Sequence, residues 1–273
     1  MYKKLYAKYR YSLILLRELV ITDFKLRYQN SLLGYMWAVL KPLFTFIIMY
    51  VFFVVVLGVG KEIPHWGVAL LLGIVMWTFF QEVVNQGLKS ITANGGIIRK
   101  INFPKYIIVI STSLSAVINL LINLVVVALF AAIDHVPLSW GMLLIPLFIL
   151  ELYIFGVGVA FFLSTFNVKY RDTGYIWDVI SQALFYGSAI MFPLNRIVAM
   201  DNGHFIALIA SLNPISQAIQ DARYYGVTDK VDTVLTLTQN GLIIAAPIVL
   251  SVVVFICGAL YFRSRSPRFA EEI

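Results

Sequence analysis

The sequence predicts an all-α membrane protein of six transmembrane helices, preceded by an amphipathic interfacial helix. Three observations predict it. Six apolar stretches are each long enough to cross a bilayer core, which takes roughly 20 residues. Of the 273 residues 60% are hydrophobic and 13% charged, about half the charge of an ordinary soluble domain. And the basic residues alternate in side. Sixteen of the 21 Lys and Arg fall before the first stretch, between the second and third, between the fourth and fifth, or after the sixth. Four (Lys61, Arg196, Arg223 and Lys230) fall on the other side, and Lys41 lies inside the first stretch. Cytoplasmic loops carry the excess of Lys and Arg, so both termini are expected in the cytoplasm. The net charge of +7 is thereby assigned to topology and not to nucleic acid.

Residues 1–30 form the expected interface helix. Tyr2, Leu5, Tyr9, Leu13, Leu16 and Val20 recur every three or four positions, with Lys3, Lys4, Lys8 and Arg17 off that stripe. Such a helix lies in the headgroup plane. It serves either as an anchor or as a cradle for a partner or an anionic lipid-linked substrate. Residues 31–266 form the membrane domain, and 267–273 a cytoplasmic tail.

The expected spans are Leu33 to Gly58, Trp66 to Gln86, Ile107 to Ile133, Met142 to Phe166, Tyr175 to Phe192 and Leu242 to Phe262. The first is unusually aromatic, with Tyr35, Trp37, Phe44, Tyr50, Phe52 and Phe53. Trp66, Trp77, Trp140 and Trp177 suit interface belts. The inner link from Gly87 to Tyr106 is amphipathic: Lys89, Arg99, Lys100 and Lys105 alternate with Ile91, Ile97, Ile98 and Phe103. A short helix of that kind needs a partner, either the bilayer surface or another protein. The link from 193 to 241 carries Phe205, Ile206, Leu208, Ile209, Leu212, Ile215 and Ile219, interrupted by Asn213-Pro214, a strong breaker. It reads as two short helices dipping into the membrane, which requires burial in protein or a cavity, or as a surface hairpin.

The chemistry-bearing residues exclude several classes. No G-x-x-x-x-G-K-[ST] loop is present, and Gly95-Gly96 lacks the phosphate-cradle spacing. His65, His135 and His204 lie in three separate outer segments without ligand spacing, so no metal site is expected. Cys257 is the one cysteine. No compact apolar leader follows the start, so no cleavable signal peptide is expected. A membrane glycosyl- or phosphotransferase would need clustered carboxylates or histidines at one face. Four ionisable residues lie in or at the ends of spans, where they are costly. Lys41 is near enough to the inner end to snorkel, Glu82 lies near the inner end of span two, and Asp178 sits in a first helical turn that favours a carboxylate. Glu151, near the middle of span four, has neither escape. It faces a polar path, pairs across an interface, or is a hydrogen-bonded packing residue. A proton-driven secondary transporter would use it directly.

At the junction of the interface helix and span one the residues become specific. Asp23-Phe-Lys25-Leu-Arg27-Tyr28-Gln-Asn-Ser31-Leu-Leu-Gly34-Tyr35-Met-Trp37, followed by Lys41-Pro42, resembles the opening of polysaccharide-exporting ABC transporter permeases. So do Lys100-Ile-Asn-Phe103-Pro104-Lys105, Tyr170-Arg171-Asp172, Met191-Phe-Pro193, Asn213-Pro214 and Pro267-Arg-Phe-Ala-Glu271-Glu272, in this order along nearly the whole chain. The teichoic acid translocation permease is the nearer look-alike and the O-antigen export permease the next; small-molecule drug exporters share the broader type-2 class. The resemblance implies a homodimer in the bacterial plasma membrane with two separate ATPase subunits. Those subunits would bind ATP and Mg, and this chain would hold no cofactor. It implies a coupling loop at Asn94, Lys100, Phe103 and Pro104, and a re-entrant gate including Pro193, Asn213 and Pro214. The expected cargo is an undecaprenyl-pyrophosphate-linked polymer. Arg10, Arg17, Lys25 and Arg27 would recruit its headgroup, and Tyr35, Trp37, Lys41 and Glu151 are channel or interface candidates.

Overall fold

The computed structural model describes residues 13–23, 25, 33–101 and 103–273, and these residues form helices and no strands. Arg10 and Arg27 lie outside the described residues. Helix α1 covers 13–23. Leu15, Leu16 and Leu19 rest against the core, and the Val20 carbonyl accepts a hydrogen bond from Ser115. Leu13, expected on the buried stripe, is half exposed.

Among the described residues five helices are long and apolar enough to cross a membrane: Gly34–Val56, Trp66–Ala93, Tyr106–Ile133, Trp140–Lys169 and Gly241–Glu272. The first comprises a tight turn (Gly34–Met36), α2 (Trp37–Met49) and wide turns (Tyr50–Val56). Pro42 interrupts α2 without breaking it. Proline has no N–H for the carbonyl four residues back. That carbonyl, of Ala38, accepts instead from the Asn123 side-chain amide at 3.0 Å. Asn123 lies on α5 (Tyr106–Ile133) and also donates to the Asn119 carbonyl.

Helix α3 (Trp66–Ala93) is the centre of the bundle. In its apolar stretch 78% of residues are buried, against 17% in the first and last spans. It packs on α5 and on α6 (Ile145–Lys169), and α6 packs in turn on α12 (Gly241–Arg265). Helix α4 (Gly95–Lys100) lies between α3 and α5 at the basic end. Small residues allow the α6 contacts: a Cβ on Gly158 would lie 2.7 Å from the Phe255 backbone, and one on Gly87 2.6 Å from Ala160. Close backbone approach through small residues is how helices associate where no hydrophobic drive separates protein from lipid.

The expected fifth span departs from the sequence reading. Helix α7 runs only Thr173–Gly187, 15 residues, about 22 Å at 1.5 Å per residue, short of a ~30 Å hydrocarbon core. The chain then turns through Ala189, which has φ of 50°. It continues through α8 (Leu194–Val198), α9 (Gly203–Ser211), α10 (Pro214–Gly226) and α11 (Val234–Leu237) at the end opposite the basic loops. The tail forms α13 (Phe269–Glu272), with Phe269 fully buried and the helix against α4.

Candidate functional site: a polar cavity on the central helix

Helix α3 divides by composition. From Trp66 to Trp77 its side chains are almost all apolar and buried. From Thr78 onward Thr78, Gln81, Glu82, Asn85 and Lys89 recur at three- and four-residue spacing, so they share one face. That face lines a cavity of about 950 Å³ that runs down to Ala93 and Asn94. Lys41 and Thr45 of α2, Thr112 of α5, Asp23, and Ser181, Gln182, Phe185 and Tyr186 of α7 complete the wall.

The polar groups are held in place by one another. Asn119 of α5 donates to the Glu82 carboxylate at 3.0 Å. Asn85 donates to Gln81 at 2.8 Å and accepts from Trp177 Nε1 of α7 at 2.7 Å. The Asn119 and Trp177 bonds join α5 and α7 to α3, so the lining is positioned by the fold. Polar side chains inside apolar spans are costly, and here they face a cavity and not lipid. Trp77, Phe185 and Tyr186 add aromatic faces, with Trp77 and Phe185 at 5.3 Å between centroids.

At the far end α10 closes the bundle around Arg223. This side chain is 0% exposed. Its Nε donates to the Ala69 carbonyl of α3 at 2.9 Å, Nη1 to the Ala189 carbonyl at 3.1 Å and Nη2 to the Ile190 carbonyl. The guanidinium also lies 5.0 Å from the Trp66 ring. The turn that ends α7 is therefore fastened to α3 by one buried cation, which gives the short α7 a physical cause. The sequence reading counted Arg223 among outer-loop charges; it is a core residue. Asn213-Pro214, read as a breaker, is a helix start: Asn213 Oδ1 accepts from the Ile215 N–H at 3.1 Å, its amide donates to Ser188 at 2.9 Å, and Pro214 takes the first turn. This is the expected cap chemistry. Pro193 is buried and precedes α8.

The remaining candidates are spread out. Lys41 lines the cavity, whereas Tyr35 and Trp37 are 54% and 42% exposed at the start of the first span. Glu151 is not in the cavity wall; it lies beside α10 and Asp221. Arg17 and Lys25 are exposed. Of the loop residues, Phe103 is buried in the core and Asn94 lines the cavity. Lys100 and Pro104 are exposed. Sequence reasoning missed Gln81, Asn85, Gln182, Asn119 and Asn123, and it placed Lys89 in the inner link, whereas Lys89 lies on α3 in the cavity wall. The helical spacing of polar residues on α3 was the available signal.

Apolar helices long enough to cross a membrane, with a polar cavity on the most buried of them, define an integral membrane protein. Residues 15–225 match the ABC-2 type transporter family, and the chain belongs to it. It is a permease subunit, a transport component and not an enzyme on its own. Among named relatives it is similar to the O-antigen export system permease protein RfbA of Klebsiella pneumoniae, with 28% identity over 272 residues, covering 97% of this chain and 98% of that protein. The protein of the same name from Myxococcus xanthus is 25% identical over 263 residues, covering 95% of each chain.

Proposed function

We propose that this chain is the membrane subunit of an ATP-driven exporter. Its cargo is a lipid-linked surface polysaccharide of the O-antigen class, moved outward across the bacterial inner membrane. The observation that carries the reading is the cavity. Its amide and hydroxyl groups (Gln81, Asn85, Gln182, Ser181 and Thr78) suit exchange of hydrogen bonds with sugar hydroxyls, and its aromatic faces suit the apolar faces of sugar rings. The names of the relatives, O-antigen export permeases, support O-antigen over the teichoic acid to which the sequence resemblance leaned.

In this reading two copies face each other, with the exposed sides of α2 and α7 toward the shared path. The basic end, both termini included, lies in the cytoplasm. Two separate ATPase subunits bind ATP and Mg and dock on α4, where Arg99 and Lys100 are exposed while Ile98 anchors the helix in the core. Arg17 and Lys25, with Arg10 and Arg27, recruit the pyrophosphate headgroup, each basic group near the anionic surface contributing about 1 kcal/mol. Helix α7 and the Arg223-held turn complete a sixth crossing, and α8 to α10 form the outer gate.

The test is co-expression with a candidate ABC ATPase from the same organism in a strain lacking its own O-antigen permease. Restored surface polysaccharide, lost on Lys100→Glu together with ATPase co-purification, supports the reading. A chain that purifies alone and moves substrate in liposomes without ATP overturns it.

A further inference from the structure

Four buried oxygen atoms of α6 and α10 have no hydrogen-bond partner among the described residues: Ser216 Oγ, a hydroxyl, and three acceptors, Glu151 Oε1, Gln217 Oε1 and Asp221 Oδ1. The helix register brings the three acceptors together. A Cβ on Gly226 would meet Ile145, and Phe148 stacks on Tyr225 at 5.8 Å, so α6 and α10 run antiparallel. Six residues on from Ile145 and five back from Gly226 are about 9 Å and 7.5 Å along the two axes, which places Glu151 beside Asp221. Asp221 is the charged neighbour of Glu151. Gln217, one turn from Asp221, donates its amide to Asp221 Oδ2 at 2.6 Å. The amide is thereby fixed with its oxygen left over. Gln217 is 4% exposed and Asp221 3%.

Two carboxylates and an amide oxygen supply acceptors only, and an unpaired acceptor in low dielectric is costly. We propose that Glu151, Gln217 and Asp221 form a site for one small monovalent cation, a proton or an alkali ion, joining the fourth span to the outer helix α10. The other charged group on α10, Arg223, is committed to the carbonyls of Ala69, Ala189 and Ile190. Tyr225 stacks on Phe148, and Tyr153 of α6 is bonded to Ser113 of α5. The charged groups of α3 and α12 lie at their basic ends, and His204 of α9 is exposed. None of these supplies the missing positive partner. A cation here would tie α10, and through Arg223 the turn after α7, to the core of the bundle.

Burial pushes the Asp221 carboxyl up to about 6, and the Gln217 bond pulls it down. A folded-state value raised above the unfolded one gives stability that is present at low pH and lost as pH rises through about 6.

The experiment follows the unfolding midpoint of the full chain in detergent. One arm replaces N-methylglucamine chloride by sodium chloride at constant ionic strength; the other varies pH from 5 to 8 without sodium. Asp221→Asn and Glu151→Gln are the paired variants. Asp221→Asn keeps an acceptor for Gln217 and removes the charge beside Glu151, so it should fold. A sodium-dependent rise of about 2–4 °C that both variants abolish assigns the alkali ion. A midpoint that falls through about pH 6 in the wild type alone, indifferent to sodium, assigns the proton. A wild type that responds to neither, or whose response the folded variants share, overturns the site. None of these outcomes depends on the export reading, because none measures transport.

Discussion

The two halves of α3 solve the problem of buried polarity in opposite ways. The outer half is apolar, and the one polar group driven into it, Arg223, has its donors taken up by carbonyls of α3 and of the turn after α7. The inner half turns seven polar side chains toward a cavity: Thr78, Gln81, Glu82, Asn85, Gln86, Lys89 and Ser90. Buried polar groups are tolerated when their hydrogen bonds are made. In the outer half protein makes those of Arg223, although the buried Trp66 Nε1 has no partner among the described residues, so that half is frame. In the inner half neighbours hold the side chains while the cavity keeps their remaining capacity accessible, so that half is site.

The largest test of this contrast is Arg223→Met. Methionine fills a similar volume but forfeits three bonds from a charged donor, each contributing about 1.5–3 kcal/mol, although the Ala189 carbonyl keeps its bond from the Gln220 amide at 3.0 Å. We expect an unfolding midpoint lower by 8 °C or more, at about 2–4 °C per kcal/mol for a chain near this size, and a matching loss of detergent-stable protein. A midpoint near that of the wild type would break the assignment of the outer half as frame. Next comes Asn123→Leu, which strips the Ala38 carbonyl of the donor that replaces Pro42. It should cost about 1–3 kcal/mol, and a helix-restoring Pro42→Ala in the same chain should recover most of it. Failure of that rescue would remove Asn123 from its proposed role.

The inner half gives the reverse expectation. Gln81→Leu removes a cavity-facing amide and one bond to Asn85, and an apolar replacement of similar size in a bundle of this kind should move the midpoint by less than about 2 °C. Export of polysaccharide should nonetheless fall by on the order of tenfold, the equivalent of about 1.4 kcal/mol of lost substrate contact. Unaltered export with unaltered stability would dissociate the cavity from the path.

Legibility in the sequence follows the same division. Apolar length and charge alternation made the five long helices readable, because the bilayer imposes both directly on composition. The amphipathic inner link was readable for the same reason: Ile98 is buried and Lys100 exposed on one short helix. Bonds between distant residues were not. Arg223 sits in an outwardly ordinary stretch, and its partners Ala69, Ala189 and Ile190 enter through backbone atoms that leave no mark in sequence. The end of α7 at Gly187 went unforeseen because Ala189 to Phe192 is as apolar as a span. Glu151 was singled out by its depth, but its neighbour Asp221 is 70 residues away and appears beside it only once α10 is folded against α6.

The smallest expected effect tests whether charge at the outer rim shares in the frame. His65, in a left-handed conformation just before α3, pairs its Nδ1 with Asp134 Oδ2 at 2.8 Å just past the end of α5. The geometry is as good as that of Arg223, but the side chains are 25% and 49% exposed. Solvent competes for both groups, and exposed pairs contribute about 0–1 kcal/mol. Asp134→Asn should therefore lower the midpoint by at most about 3 °C. The difference should vanish in 1 M salt, where screening acts over about 3 Å. The Arg223→Met difference should persist in that salt, because its partners are buried carbonyls shielded from ions. If Asp134→Asn costs as much as Arg223→Met, or if both respond alike to salt, burial is not what separates frame from surface at this end of the bundle.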